Sequence, residues 1–233
     1  LFKNQLSGSD CYLIKNENLT LNFLSVIYEF VYICKIIINQ HFYTIKYNIM
    51  NDGSKKVVIL LAHPNLKESQ ANKALADAVQ DIDGVMLYDL YEYRDQSFDV
   101  NVWSTIISDA SMVIFQFPFH WMSAPSLLKR WLDEVFTSLA KTPAVAGKPL
   151  QIVTTTGSEY AAYRSGGRNC FTMDELLRPY QGCAIHAGMV WNTPLVVYGM
   201  GSGDASRNIA AGAEAYKQRI EEALNSHTTL NIW

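Results

Sequence analysis

From residue 56 onward the chain alternates short apolar runs with amphipathic ones. Residues 56–62 (KVVILLA) are a continuous apolar run rich in β-branched residues, which predicts a strand buried on both faces. After the polar HPNLKE, residues 69–82 (SQANKALADAVQDI) place Ala, Leu and Val on one helical face, with Ser69 as N-cap. Residues 84–90 (GVMLYDL) read as a second strand. A polar and aromatic link leads to a short helix, STIISDA, and then to a third strand at 111–117, SMVIFQF. In SAPSLLKRWLDEVFTSLA, the residues Leu127, Leu128, Trp131, Leu132, Val135 and Phe136 recur at helical spacing. A fourth strand is expected at 150–156 (LQIVTTT), a fifth within GMVWNTPLVVYGM, and a last amphipathic helix from Asp204.

Strands separated by helices imply right-handed crossovers and a parallel sheet. The expectation is an α/β three-layer sandwich, with a five-stranded parallel sheet and helices on both faces. Such sheets take ligands outside the carboxyl ends of their strands. Three loops therefore matter: those after the first, third and fourth strands.

Each loop carries suggestive but individually weak chemistry. AHPNLKESQANK lacks G-x-G-x-x-G, yet it delivers a helix start whose free amides favour a phosphate. His63, Lys67, Ser69 and Asn72 sit there. An ordinary capped turn would read the same. PFHWMSAP brings Pro118, Phe119, His120 and Trp121 just past a strand end, as a flat apolar wall or as core covering a sheet end. TTTGSEYAAY offers Thr155, Thr156, Gly157 and Ser158 for polar contacts, and Tyr160 and Tyr163 for stacking or donation. All three fall on one sheet edge. A phosphate cradle, an aromatic wall and a polar rim together suit a flavin mononucleotide.

Composition narrows the picture. The 233 residues are 49% apolar with a net charge of −3, enough for a sizeable core and without the basic surface that nucleic acid requires. Four cysteines, Cys11, Cys34, Cys170 and Cys183, form no C-x-x-C pair, which fits a reduced, cytoplasmic protein without a metal site. Residues 1–49 differ in kind: they contain no Ala, Pro, Arg or Trp. An extra helix, a membrane anchor and an upstream stretch ahead of a true start at Met50 compete. Glu29 and Lys35 interrupt the apolar run at 19–38, which disfavours a spanning helix. The preferred reading is the upstream stretch, with residues 50–233 as the functional domain.

The segments LLAHPNLKESQANKAL, VIFQFPFHWMSAPSLLKRWLDEVF and VTTTGSEYAAY resemble the flavodoxin-like NAD(P)H:quinone oxidoreductases, a family that includes DT-diaphorase and the flavoproteins ancillary to glutathione-gated potassium efflux. The pattern P-x-x-W-x-x-x-P-x-x-L-K-x-W-x-D carries most of that resemblance, over about residues 56–225. It implies a flavin-binding domain holding FMN, with FAD the alternative, and NAD(P)H as co-substrate. His63, Ser69, Ala71 and Asn72 would hold the phosphate. Pro118, Phe119, His120 and Trp121 would line the ring, and Thr155, Thr156, Gly157 and Ser158 would bond its other edge. Tyr160 or Tyr163 would stand where the family places a Tyr that steadies the reduced flavin. That Tyr's usual His partner has no clear counterpart; Arg164, Arg168 and His186 are the loose candidates. The implied activity is two-electron, ping-pong reduction of a quinone or similar small aromatic acceptor by a homodimer. The alternatives are a regulatory subunit of a membrane potassium-efflux transporter, an electron carrier and an azoreductase.

Overall fold

The computed structural model describes residues 55–225. Residues 1–49 and Met50, with the reading of them given above, lie outside that range. Five strand positions form a parallel sheet. β1 (Val57–Leu61) lies between β2 (Val85–Asp89) and β3 (Met112–Pro118), and β4 (Pro149–Thr155) follows β3. The fifth position is divided: β5 (Val190–Trp191) pairs with the start of β4, and β6 (Leu195–Val197) with its end. Pro194 between them has no N–H to give a ladder, which accounts for an interruption in what the sequence reads as one strand.

The strand order, 2-1-3-4-5, reverses direction at β1. β1 and β3 run in register, Val57 beside Met112 and Leu61 beside Gln116, so their loops emerge together at the switch point. All five β1 side chains are inaccessible to solvent, as its unbroken apolar run predicts.

Alternation along the strands sorts the two helical layers. On one face Val57, Ile59, Ile114 and Val153 meet Leu75 of α1 (Ala71–Asp77) and Tyr216 and Ile220 of α6 (Ala205–Asn225). On the other, Trp103 of α2 (Val100–Asp109) packs edge-on against Trp131, with ring centroids 5.8 Å apart, and Trp131 meets Phe115 of β3 at 5.9 Å. Trp131 belongs to α3, which runs from Ser126–Trp131 through a π turn, Leu132–Phe136, into Thr137–Leu139.

Three helices depart from the sequence reading. α2 begins at Val100, four residues before the expected STIISDA helix, because the Asp99 carboxylate accepts the amides of Asn101 and Val102 at 2.8 and 3.4 Å. α4 (Met173–Leu176) and α5 (Arg178–Ala187) were not expected at all. α5 buries only Tyr180, Ala184 and Ala187 and carries Gly182 inside, so its apolar period is thin. Its start is nonetheless written in Pro179, a residue suited to a first helical turn.

Candidate functional site

The loop after β1 ends in a capped helix start. Ser69 is extended, and its Oγ accepts the Asn72 amide at 3.1 Å, as the capping reading requires. The amides of Gln70 and Ala71 find no acceptor among the described residues. His63 is half-buried and its Nδ1 accepts the Asn65 amide at 3.1 Å, so Nε2 carries the proton of the neutral ring. Burial, reinforced by the nearby His120, holds the His63 pKa below the ordinary histidine value.

Asn72 is an interior residue. Its Nδ2 donates to Thr155 Oγ1 at 3.0 Å, and its carbonyl oxygen accepts Gln116 Nε2 at 2.9 Å. One polar chain therefore ties β3, α1 and β4 together beneath the switch point. Among the described residues, Asn72 Oδ1 and Gln116 Oε1 are buried and find no partner.

The loop after β3 is a two-residue hairpin. His120 and Ser123 exchange backbone bonds at 2.9 and 3.0 Å, and Trp121 and Met122 between them have φ of 47° and 62°. Positive φ at both central residues marks a type I′ turn, which favours Asn-Gly and disfavours large side chains. The strain sits at the point where ligands of this fold bind. The Trp121 and Met122 amides find no acceptor among the described residues. Behind the turn, Pro118 is buried and Phe119 is only 7% exposed, whereas Trp121 is 98% exposed. The wall expected from PFHW thus has a buried half, Pro118 and Phe119, and an open half, His120 and Trp121.

In the loop after β4 the threonine hydroxyls are largely engaged. Thr156 Oγ1 donates to the Ser158 carbonyl at 2.7 Å, and Thr155 Oγ1 receives Asn72. Carbonyls of this loop accept amides of the 199–201 turn: Gly199 N–H on Ser158, Met200 on Thr156 and Gly201 on Gly157, each at 2.9 Å. A Cβ at Gly201 would stand 3.1 Å from the Gly157 oxygen. The Gly157 and Ser158 amides remain without acceptors among the described residues. The loop offers main-chain donors where the sequence reading looked to hydroxyls. Beside it opens a cavity of ≈ 530 Å³ bordered by Ser158, Arg168 and Ser202.

The two tyrosines part company. Tyr163 is buried and meets the Phe119 ring edge-on at 6.2 Å. Tyr160 is 53% exposed, under the Arg164 guanidinium and 5.3 Å from Tyr198. Burial first, then Tyr160 and Asp174, push the Tyr198 hydroxyl up to about 12, so it keeps its proton at neutral pH. Sequence reasoning missed Met122, whose amide pairs with that of Trp121, and Tyr198. It also missed Tyr180 of α5, whose hydroxyl accepts the Ala124 amide at 2.9 Å.

Three sets of acceptor-free amides, on the loops after β1, β3 and β4, therefore converge on the carboxyl edge beside a buried aromatic pair. That donor set suits an anionic group at the helix start and a planar ring with polar edges at the other two loops, as in FMN.

Known proteins share this framework. Over 172 residues the chain is 34% identical to General stress protein 14 of Bacillus subtilis, covering 72% of this chain and 98% of that one. Over 174 residues it is 34% identical to the glutathione-regulated potassium-efflux system ancillary protein KefG of Yersinia pestis, covering 72% and 95%. Among solved structures, a thermophilic tryptophan halogenase from Streptomycin violaceusniger has 35% identity and a TM-score of 0.66, covering 73% of this chain and 99% of that one. General stress protein 14 of Treponema denticola, solved in complex with FMN, has 28% identity and a TM-score of 0.66, covering 72% and 99%. An NADPH-quinone reductase from P. pentosaceus has 28% identity and a TM-score of 0.59, covering 69% and 97%. The sequence profile of the flavodoxin-like fold matches residues 55–220, the same stretch that builds the sheet and its three loops, and the chain belongs to that family.

Proposed function

We propose that this chain is an FMN-dependent NAD(P)H oxidoreductase that reduces a quinone or similar small aromatic acceptor. The observation that carries the reading is the convergence of acceptor-free amides at Gln70–Ala71, Trp121–Met122 and Gly157–Ser158 beside Phe119 and Tyr163. The likeness to an FMN complex and to an NADPH-quinone reductase supports it. When bound, FMN would supply the redox chemistry between a reduced nicotinamide and the acceptor.

The protein's part is to bind, orient and tune. Amides at the α1 start and the Ser69 hydroxyl hold the phosphate, with His63 Nε2–H as a further donor. Asn72 braces Thr155 from inside, a supporting role behind the phosphate group. Phe119 fixes one side of the ring slot. The amides of Trp121, Met122, Gly157 and Ser158 favour negative charge at the ring edge, because fixed dipoles in a partly dry site need no reorganisation. Tyr163, locked against Phe119, is the better placed of the two tyrosines to hold a proton at that edge. Exposed Trp121 and Met122 suit a lid shared with a second copy, in a homodimer. The free Cys170 and Cys183 suit a reduced, cytoplasmic setting. No helix among the described residues is long and apolar enough to cross a membrane.

The test is anaerobic steady-state kinetics of the FMN-loaded chain with NADH or NADPH and a benzoquinone. One slot serving both substrates in turn gives parallel double-reciprocal lines. Intersecting lines, or no quinone-dependent nicotinamide oxidation, contradict the reading. An azo dye in place of the quinone separates acceptor classes, which the fold does not choose between.

A second reading has its own support in the 34% identity with KefG: a regulatory flavoprotein that docks on a potassium-efflux transporter. Co-purification with such a transporter, and a change in its flux when this chain is removed, would favour it.

A further inference from the structure

We infer that Tyr180 is a positioning residue that pins the Trp121–Met122 turn in its strained conformation, and so sets the ring-binding amides. This rests on the flavin reading given above. The local sequence does not favour the turn. Trp121 and Met122 hold φ of 47° and 62°, where side chains larger than glycine crowd the backbone. A type I′ turn built from Trp and Met needs a restraint from outside itself.

Tyr180 provides it from the core. Its ring is 7% exposed and lies 5.4 Å from Phe117 of β3. Its hydroxyl accepts the Ala124 amide at 2.9 Å and shares a 3.0 Å bond with Ser123 Oγ. With the amide as donor, the hydroxyl proton is free to point at Ser123, so both bonds form together. Ser123 closes the turn by exchanging two backbone bonds with His120. One hydroxyl thus grips the two residues that leave the turn, from a helix that contributes nothing else to the ring-edge amides. Without it, Trp121 and Met122 relax toward negative φ and their amides turn away.

The test is Tyr180→Phe, which keeps the ring and removes only the hydroxyl. In the chain free of flavin, chymotryptic cleavage after Trp121 accelerates while cleavage at other aromatic residues keeps the parental rate. The dissociation constants of FMN and of riboflavin both rise by roughly tenfold, the scale of one lost hydrogen-bond pair. The shared rise matters, because riboflavin lacks the phosphate and reports the ring end alone. Met122→Gly on the Tyr180→Phe background restores most of the affinity, since glycine accepts positive φ unaided. Ser123→Ala, which removes one of the two bonds, gives a smaller loss in the same direction and serves if Tyr180→Phe fails to fold. Parental affinity for both flavins overturns the inference. So does a loss confined to FMN, or a loss that Met122→Gly does not repair. If the parent chain binds neither flavin, the flavin reading fails, and the cleavage rate still decides whether Tyr180 pins the turn.

Discussion

His63 shows how much one residue's surroundings add to its identity. Its Nδ1 is tied to the Asn65 amide, and burial with His120 nearby lowers its pKa from 6.5. The unfolded chain therefore binds a proton at a higher pH than the folded one. Stability from keeping this ring neutral is complete above about 6.5 and declines as pH falls toward the lower, folded value. Unfolding midpoints measured from pH 7.5 down to 5 should fall below pH 6.5, and His63→Gln should flatten that decline. Identical slopes would show that other groups cause it. The sequence pointed to His63, Ser69, Phe119 and Gly157 as residue types in sensible places. It could not show which atoms would be free. Thr155 Oγ1 is engaged by Asn72, 83 residues away in the chain, and a pairing at that separation leaves no local trace. The move from hydroxyl to amide donors follows from such long-range bonds.

At the scale of elements, buried strands were the most legible. β1 reads as an unbroken apolar run and β3 as one interrupted by Gln116, and both are buried end to end. α5 was not legible, because a helix that touches the core through three residues leaves a faint period. The hairpin at Trp121 was hidden for the opposite reason: its residues contradict the chemistry its turn prefers, and tertiary bonds from α5 override them. The packing of α6 on β6 depends on one glycine. A Cβ at Gly212 would stand 2.5 Å from Val197 Cγ2, closer than atoms can approach without repacking. Gly212→Ala should destabilise the fold by about 1–3 kcal/mol, the usual penalty for overpacking. Val197→Ala in the same chain should recover part of it. Chemical denaturation of the single and double variants checks both, and an unchanged single variant would mean that α6 shifts freely on the sheet.

For the molecule as a whole, alternation of strand and helix predicts the fold class, and the observed order 2-1-3-4-5 adds the switch point. That reversal at β1 brings together loops that begin near residues 63, 119 and 156, and it turns three weak local signals into one surface. The family match over residues 55–220 agrees with that extent. The fold is common to relatives described as stress proteins, efflux ancillary proteins, a reductase and a halogenase, so function has to be argued from the loops. We propose that main-chain amides of these loops form a flavin cradle. Titration of the isotopically labelled chain with FMN, followed by amide nuclear magnetic resonance, tests it most directly. Saturable shifts should concentrate at Gln70, Ala71, Trp121, Met122, Gly157 and Ser158. Saturable shifts centred instead on the separate cavity lined by Gln151, Asp174, Trp191 and Arg219 of α6, or no shifts at all, would contradict it.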